Sequence, residues 1–153
     1  MTTQRELFNS VGLLILRLGV GGYLLTHGWG KLQMVIAGAE FGDPLGLGSR
    51  LSLILVTGAE FGCALLVMAG FLTRLAAVPV VCAMAVAVST AHATDPWTMG
   101  EAAKIFVAGE SQFPASKEPA LLYLIPFLAL VFTGAGRYSI DGLIWRQPPS
   151  QGT

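Results

Sequence analysis

Between Leu51 and Leu72 the chain reads LSLILVTGAEFGCALLVMAGFL, 22 residues whose one charged side chain, Glu60, stands near the middle. A helix rises about 1.5 Å per residue and the hydrocarbon core of a bilayer is about 30 Å thick, so about 20 such residues cross it. Glu60 is thereby placed deep in the membrane. A carboxylate there costs about 2.5–3.5 kcal/mol on insertion scales, and it is normally turned into the bundle and given a partner. Gly58 and Gly62 flank it at G-x-x-x-G spacing, which predicts the close approach of another helix on that face. The stretch calls for a packed membrane bundle with a polar site inside.

The rest of the chain fits that demand. Only 12% of its 153 residues are charged and 54% are hydrophobic, with mean hydropathy +0.67, against about 25% charged in soluble domains. A single domain over residues 1–153 accounts for the length. Nine Lys and Arg balance nine Asp and Glu, which argues against a nucleic-acid partner and against an acidic disordered tail. Cys63 and Cys82 fall in apolar runs without C-x-x-C or zinc-ligand spacing.

Four spans are expected, at about residues 11–29, 51–72, 75–92 and 119–135, giving an all-α integral membrane four-helix bundle. Asn9 or Ser10 is placed to cap the first. Arg17 within it, and the lack of a small-x-small site before His27 and Lys31, distinguish it from a cleaved signal peptide. The Gly-rich connection from Lys31 to Arg50 has turn signals at Asp43-Pro44, Gly46 and Gly48, and room for a short interfacial helix over Leu32–Phe41. Thr73-Arg74 is a short turn that makes spans two and three an antiparallel hairpin and puts Cys63 and Cys82 at similar depth. In span three, Ala83, Ala87 and Ala91 form a small-residue face, and Pro79 marks a kink or the first turns. The longest polar connection, His92 to Glu118, holds one helical piece near Met99–Val107. Pro126 predicts a kink or local unwinding in the last span, Gly134 and Ala135 complete it, and Tyr138 and Trp145 are candidate interface anchors.

This topology puts both termini and the Arg74 turn on one face and the two long connections on the other. Arg5, Arg74, Arg137 and Arg146 on the first face are matched in number by Lys31, Arg50, Lys104 and Lys117 on the long connections. The first set lies in fewer residues and closer to span ends, so the positive-inside rule favours a cytoplasmic first face and outer long connections. Counted from that face, Arg17 is about 10 Å deep, Glu60 about 20 Å, His27 about 25 Å and His92 about 28 Å. His27, Glu60 and His92 converge on the outer half. Lys31 shares the His27 face, Thr57 lies one turn before Glu60, Glu118 opens span four at the same level, and Trp29, Trp97 and Tyr123 add aromatic surface.

Each of these has a plainer reading. His27, Lys31 and His92 fit residues wetted by headgroups, Arg17 can snorkel or pair with Glu60, and the aromatics fit an interfacial belt. Two histidines and a carboxylate also match a 2-His-1-carboxylate metal set. The spacing does not favour that set, and no metal is assigned. Glu60 is the hardest to treat as inert, because an intramembrane carboxylate is a functional candidate by default.

Arg17 within LLILRLGVGGYLLTHGWGKL, Glu60 in the second span, and Glu118-Pro119 followed by GAGRYSIDGLI resemble the DoxX family of small four-helix membrane proteins. The most specific pieces are H-G-x-x-K-L, His27 to Leu32, and G-x-G-R-Y-S-I-D, Gly134 to Asp141. The His92–Glu118 connection departs from the family by its length and polarity. The family includes the membrane subunit of thiosulfate:quinone oxidoreductase, so the resemblance implies a multi-pass bacterial inner-membrane protein and an oxidoreductase subunit as the leading expectation.

On that expectation a quinone headgroup is the ligand. Glu60 and His27 are the catalytic candidates, and Arg17, Lys31, Thr57, His92, Trp29 and Glu118 the binding ones. A quinone carbonyl needs a donor and its reduced hydroxyl an acceptor, and Glu60 can carry a proton, since burial favours its neutral form and a nearby cation its ionised form. No flavin, haem or iron–sulfur motif is present, so a membrane or periplasmic protein partner must carry the electrons. The alternatives are a non-catalytic scaffold or accessory subunit, as part of a larger complex or a homo-oligomer, and a small transporter.

Overall fold

The computed structural model describes residues 4–144; Trp145 and Arg146 lie outside them. Every regular element among these residues is helical: α1 (Gln4–Ala37), α2 (Ser49–Ala69), α3 (Thr73–Ala91), α4 (Met99–Val107), α5 (Glu118–Thr133) and α6 (Ile140–Ile144). The first three are long and apolar enough to cross a bilayer, and α5 is an apolar helix of 16 residues. Together they form an integral membrane bundle. Its two long connections share one end, the loop end. At the other, terminal end, Ser10 and Leu13 of α1 lie against Gly136, which follows α5.

α2 packs chiefly against α1, and α3 chiefly against α5. Leu24, Val67, Val80, Phe127 and Leu130 fill the space between these pairs and are almost fully enclosed. In lipid such contacts act by close packing, because the tails are as apolar as leucine.

The seam of α1 against α2 is set by Arg17, Gly21, Leu24, Gly28 and Lys31, spaced alternately four and three residues apart, the repeat that keeps one stripe on a neighbouring helix. A Cβ on Gly21 would lie 2.5 Å from Met68 Cγ, and one on Gly28 2.5 Å from the Glu60 carbonyl carbon. Glycine at these points lets the helices meet closely. The close approach expected at Gly58 and Gly62 is absent, since nothing lies within 4 Å of a Cβ built at either. From Gly58 to Cys63 α2 widens into a π-helix, whose extra residue per turn shifts the helix face. Ala59 and Glu60 are buried there, and Gly58 is left on the outside.

Several boundaries also differ. No cap forms at Asn9 or Ser10: α1 is already helical at Gln4, and Ser10 is buried within it. The interfacial helix expected over Leu32–Phe41 is instead the end of α1, which meets no breaker before Gly38, at φ +66°. The α2–α3 turn is at Gly70–Leu72, not Thr73-Arg74, because Gly70 adopts φ +71° and ends α2. The helix remains continuous through Pro79 and Pro126. Gly134, at φ +75°, stops α5, so Gly134 and Ala135 do not extend it.

Candidate functional site

Two polar sites lie on the α1 seam. At the terminal end, α2 closes with the paired bonds of a Schellman turn, Phe71 N to Leu66 O at 2.9 Å and Gly70 N to Val67 O at 3.0 Å. Arg17, fully enclosed, adds Nη1 bonds to the Val67 and Met68 carbonyls, both 3.1 Å, and an Nη2 bond to the Tyr138 carbonyl at 2.6 Å. A cation at a helix C-terminus meets the negative end of the dipole and satisfies carbonyls that have no helical partner. Arg17 thus joins α1, α2 and the segment after α5.

The G-x-G-R-Y-S-I-D ending completes this clasp. The Asp141 carboxylate accepts from Leu72 N at 2.7 Å and Thr73 N at 2.9 Å, holding the start of α3, while Asp141 N donates to Gly70 O at 2.8 Å. Leu72 is held at φ 49°, a left-handed conformation that costs a non-glycine residue about 1–2 kcal/mol.

At the loop end Lys31 Nζ meets Glu60 Oε2 at 2.5 Å. The Glu60 side chain is 6% exposed and that of Lys31 22%. Gly28 makes this pair: by letting α1 touch the π segment at Glu60, it places Lys31, one turn on, over the carboxylate. Single-turn π segments are frequent at functional sites.

The pair lies at the edge of a cavity of about 620 Å³, within the range of small-molecule sites. His27, His92, Tyr123 and Cys82 share its lining, which is otherwise mainly aliphatic. His27 and Tyr123 meet edge to face, ring centroids 5.6 Å apart, across the thin α1–α5 seam. Both also line a second groove of about 560 Å³ on that seam. His92 Nδ1 and Asp95 Oδ2 are 2.7 Å apart. Ala83, Ala87 and Ala91 also line the cavity, so the small-residue face of α3 makes room there. The 38–48 connection supplies Phe41, Pro44, Leu45 and Leu47 to the lining. Asp43 fastens it, accepting from Leu47 N, Gly48 N and Ser52 Oγ, and the Ser52 bond above all holds the Asp43 carboxyl below its usual range.

The structure therefore gathers Glu60, His27, Lys31 and His92 around one space and leaves four sequence candidates outside its lining. Arg17 is in the clasp. Thr57 donates to Leu53 O of its own helix at 2.7 Å. Trp29 packs beside Phe61 and is 54% exposed. Glu118 accepts from Met99 N at 2.7 Å, holding α4 to the start of α5. Among the described residues no group of three or more His, Cys, Asp or Glu is placed to hold a metal ion, so His27, His92 and Glu60 do not form the 2-His-1-carboxylate set. Both cysteines are free, Cys63 against the core and Cys82 exposed. Asp95, the partner of His92, and Cys82, in the cavity lining, are not among the sequence candidates. A His-x-x-Asp spacing was the signal for the first, and none existed for the second.

Residues 12–93, from α1 through α3, match the DoxX family model. The inner membrane protein YqjF of Escherichia coli (strain K12) is 30% identical over 138 residues, 88% of this chain and 92% of that protein. No solved structure matches.

Proposed function

This chain belongs to the DoxX family, and from that premise we propose that it is the membrane subunit of a quinone-linked oxidoreductase. The cavity holding the Lys31–Glu60 pair carries the reading. The chain is a multi-pass protein of the bacterial inner membrane, as its spans and its relative's printed name support. Its termini face the cytoplasm, so a reporter fused after Thr153 is active only in cytoplasmic form; alkaline phosphatase activity there overturns this orientation.

Reduction of a quinone takes two electrons and two protons and turns each carbonyl into a hydroxyl. The electrons come from a redox protein that docks on the chain. Lys31 donates to one headgroup carbonyl, and Glu60, released from Lys31 by that contact and protonated from water, gives its proton to a carbonyl oxygen as the electrons arrive. Glu60 is reprotonated from water to supply the second proton, and then accepts a hydrogen bond from the hydroxyl formed. His27 and Tyr123 offer a donor edge at the α1–α5 seam. Acid–base help of this kind contributes typically about 10²–10⁴-fold.

The experiment is quinone binding by calorimetry to the purified protein in lipid nanodiscs, with Lys31→Met and Glu60→Gln. Both variants should fold and bind at least about tenfold more weakly, the loss of one charge-assisted hydrogen bond. Unchanged affinity in both rejects the reading. Failure of Glu60→Gln to assemble with a co-purifying partner favours the scaffold instead.

A further inference from the structure

We propose that the ligand of this cavity is an amphiphile that enters sideways from the bilayer, between α2 and α3, and leaves its apolar chain lying in that gap. The hairpin is closed near its turn and at the π segment, but beyond it, toward the loop end, α2 and α3 part. One wall of the gap is Leu55, Val56 and Ala59; the other is Cys82, Ala83 and Val86. Neither wall carries a charge. At the loop end Pro44 and Leu47 add apolar surface beside Ser52 and His92. The charged pair is Lys31 and Glu60, with His27, Ser52, His92 and Tyr123 as the other polar lining.

Cys82 shows how open the α3 wall is. It lies nine residues into α3, about 13 Å along the helix from its start, yet it is exposed. Because Cys82 also lines the cavity, this exposure marks the gap as open to its surroundings at that depth. A headgroup dissolved in the bilayer thus meets the gap near the depth of Glu60, and a chain of methylene or isoprenoid units matches the walls it passes. The inference rests on the cavity being a ligand site and not on the ligand being a quinone.

Maleimide labelling of the unmodified chain in proteoliposomes tests it, with modification at Cys82 read by peptide mass spectrometry. A lipid-soluble maleimide should modify Cys82 at least about tenfold faster than a charged one, which hydrocarbon excludes. A decyl quinone and a decyl amphiphile with another polar head should both slow that reaction, and a quinone without a chain should not. Ala83→Trp, which narrows the gap, should weaken binding of the decyl compounds and spare the tailless headgroup. Equal rates for the two maleimides, or no protection by either decyl compound, overturns the portal. Protection by the decyl amphiphile alone supports the portal and rejects the quinone. Calorimetric binding of the decyl quinone without change in the Cys82 rate does the reverse.

Discussion

α1 carries two cations into the membrane on one seam, Arg17 and Lys31, about 21 Å apart along the helix. They are bound in opposite ways. Arg17 is wholly enclosed and gives its hydrogen bonds to backbone carbonyls of two other segments, with Asp141 close enough to act on it electrostatically. Lys31 meets one side chain, Glu60, and both line a cavity. Backbone acceptors cannot change protonation or leave, so the first site is a fastener. Two side chains beside open space can trade partners, so the second can do chemistry. The environment of an intramembrane charge, more than its depth, separates the two roles.

Removing the fastener should have the largest effect. Arg17→Leu takes the guanidinium donor from the Val67, Met68 and Tyr138 carbonyls and the nearby cation from Asp141, and loss of one partner from a buried charged network costs about 3–5 kcal/mol. The detergent-solubilised variant should show a sharply lowered melting temperature and a low folded yield. Arg17→Lys should recover only part of this, because an ammonium lacks the planar fork. A variant as stable as the parent would erase the distinction between the sites.

Gly28→Ala attacks the hinge between seam and cavity. Its Cβ would fall against the Glu60 backbone, and overpacking of that kind costs about 1–3 kcal/mol. α1 must move off the π segment, carrying Lys31 with it, so stability and ligand affinity should fall together in paired melting and binding measurements. A fall in stability alone would detach the pair from the seam.

Glu60→Gln keeps shape and removes ionisation. Thermal stability should change little, while quinone-coupled turnover of the complex drops at least about tenfold, near the low end of acid–base contributions. Parent-like turnover excludes Glu60 as proton carrier.

The smallest effect is at Asp43, outside the spans. Its carboxyl is held below the usual range by Ser52 and the Gly48 and Leu47 amides. A depressed value means that the fastening of the 38–48 connection is full above the ordinary carboxylate range and is lost as pH falls through the lowered one. Proteolysis within 38–48 should therefore quicken only below about pH 4, and Asp43→Asn should remove that dependence.

The bundle was legible because length and apolarity are properties of the chain itself. The run around Glu60, the helix at Met99–Val107 and the start at Glu118-Pro119 needed no knowledge of neighbours. Azimuth was not legible, since a helix apolar on nearly every side does not announce which stripe faces inward. The close contact that G-x-x-x-G spacing predicts at Gly58 and Gly62 therefore belongs to Gly21 and Gly28. The π segment adds a residue to the turn that a helix wheel does not contain, which rotates Gly58 and Gly62 away from the expected stripe. Lys31 shared a face with His27 in the sequence, but its bond to Glu60 depends on Gly28 letting the backbones meet. The clasp of Arg17 is not legible because its partners are carbonyls, which every residue has and no sequence pattern displays.

α5 carries a consequence for the membrane around it. Its 16 residues reach about 24 Å, short of a hydrocarbon core of about 30 Å. It has little freedom to slide: Lys117, which precedes it, donates to Ala93 O at 2.9 Å and sits 4.6 Å from the Trp97 ring centre, while Gly134 turns the chain at the far end. The long α1 can adapt to a thicker bilayer by tilting, whereas α5 has to draw the lipid in around itself, at a fraction of a kcal/mol for each Å of mismatch. The load of a thickening membrane therefore falls on one side of the bundle, on the helix that faces α1 across the His27–Tyr123 contact. Acyl-chain length in the host membrane becomes a mechanical input to the width of that seam.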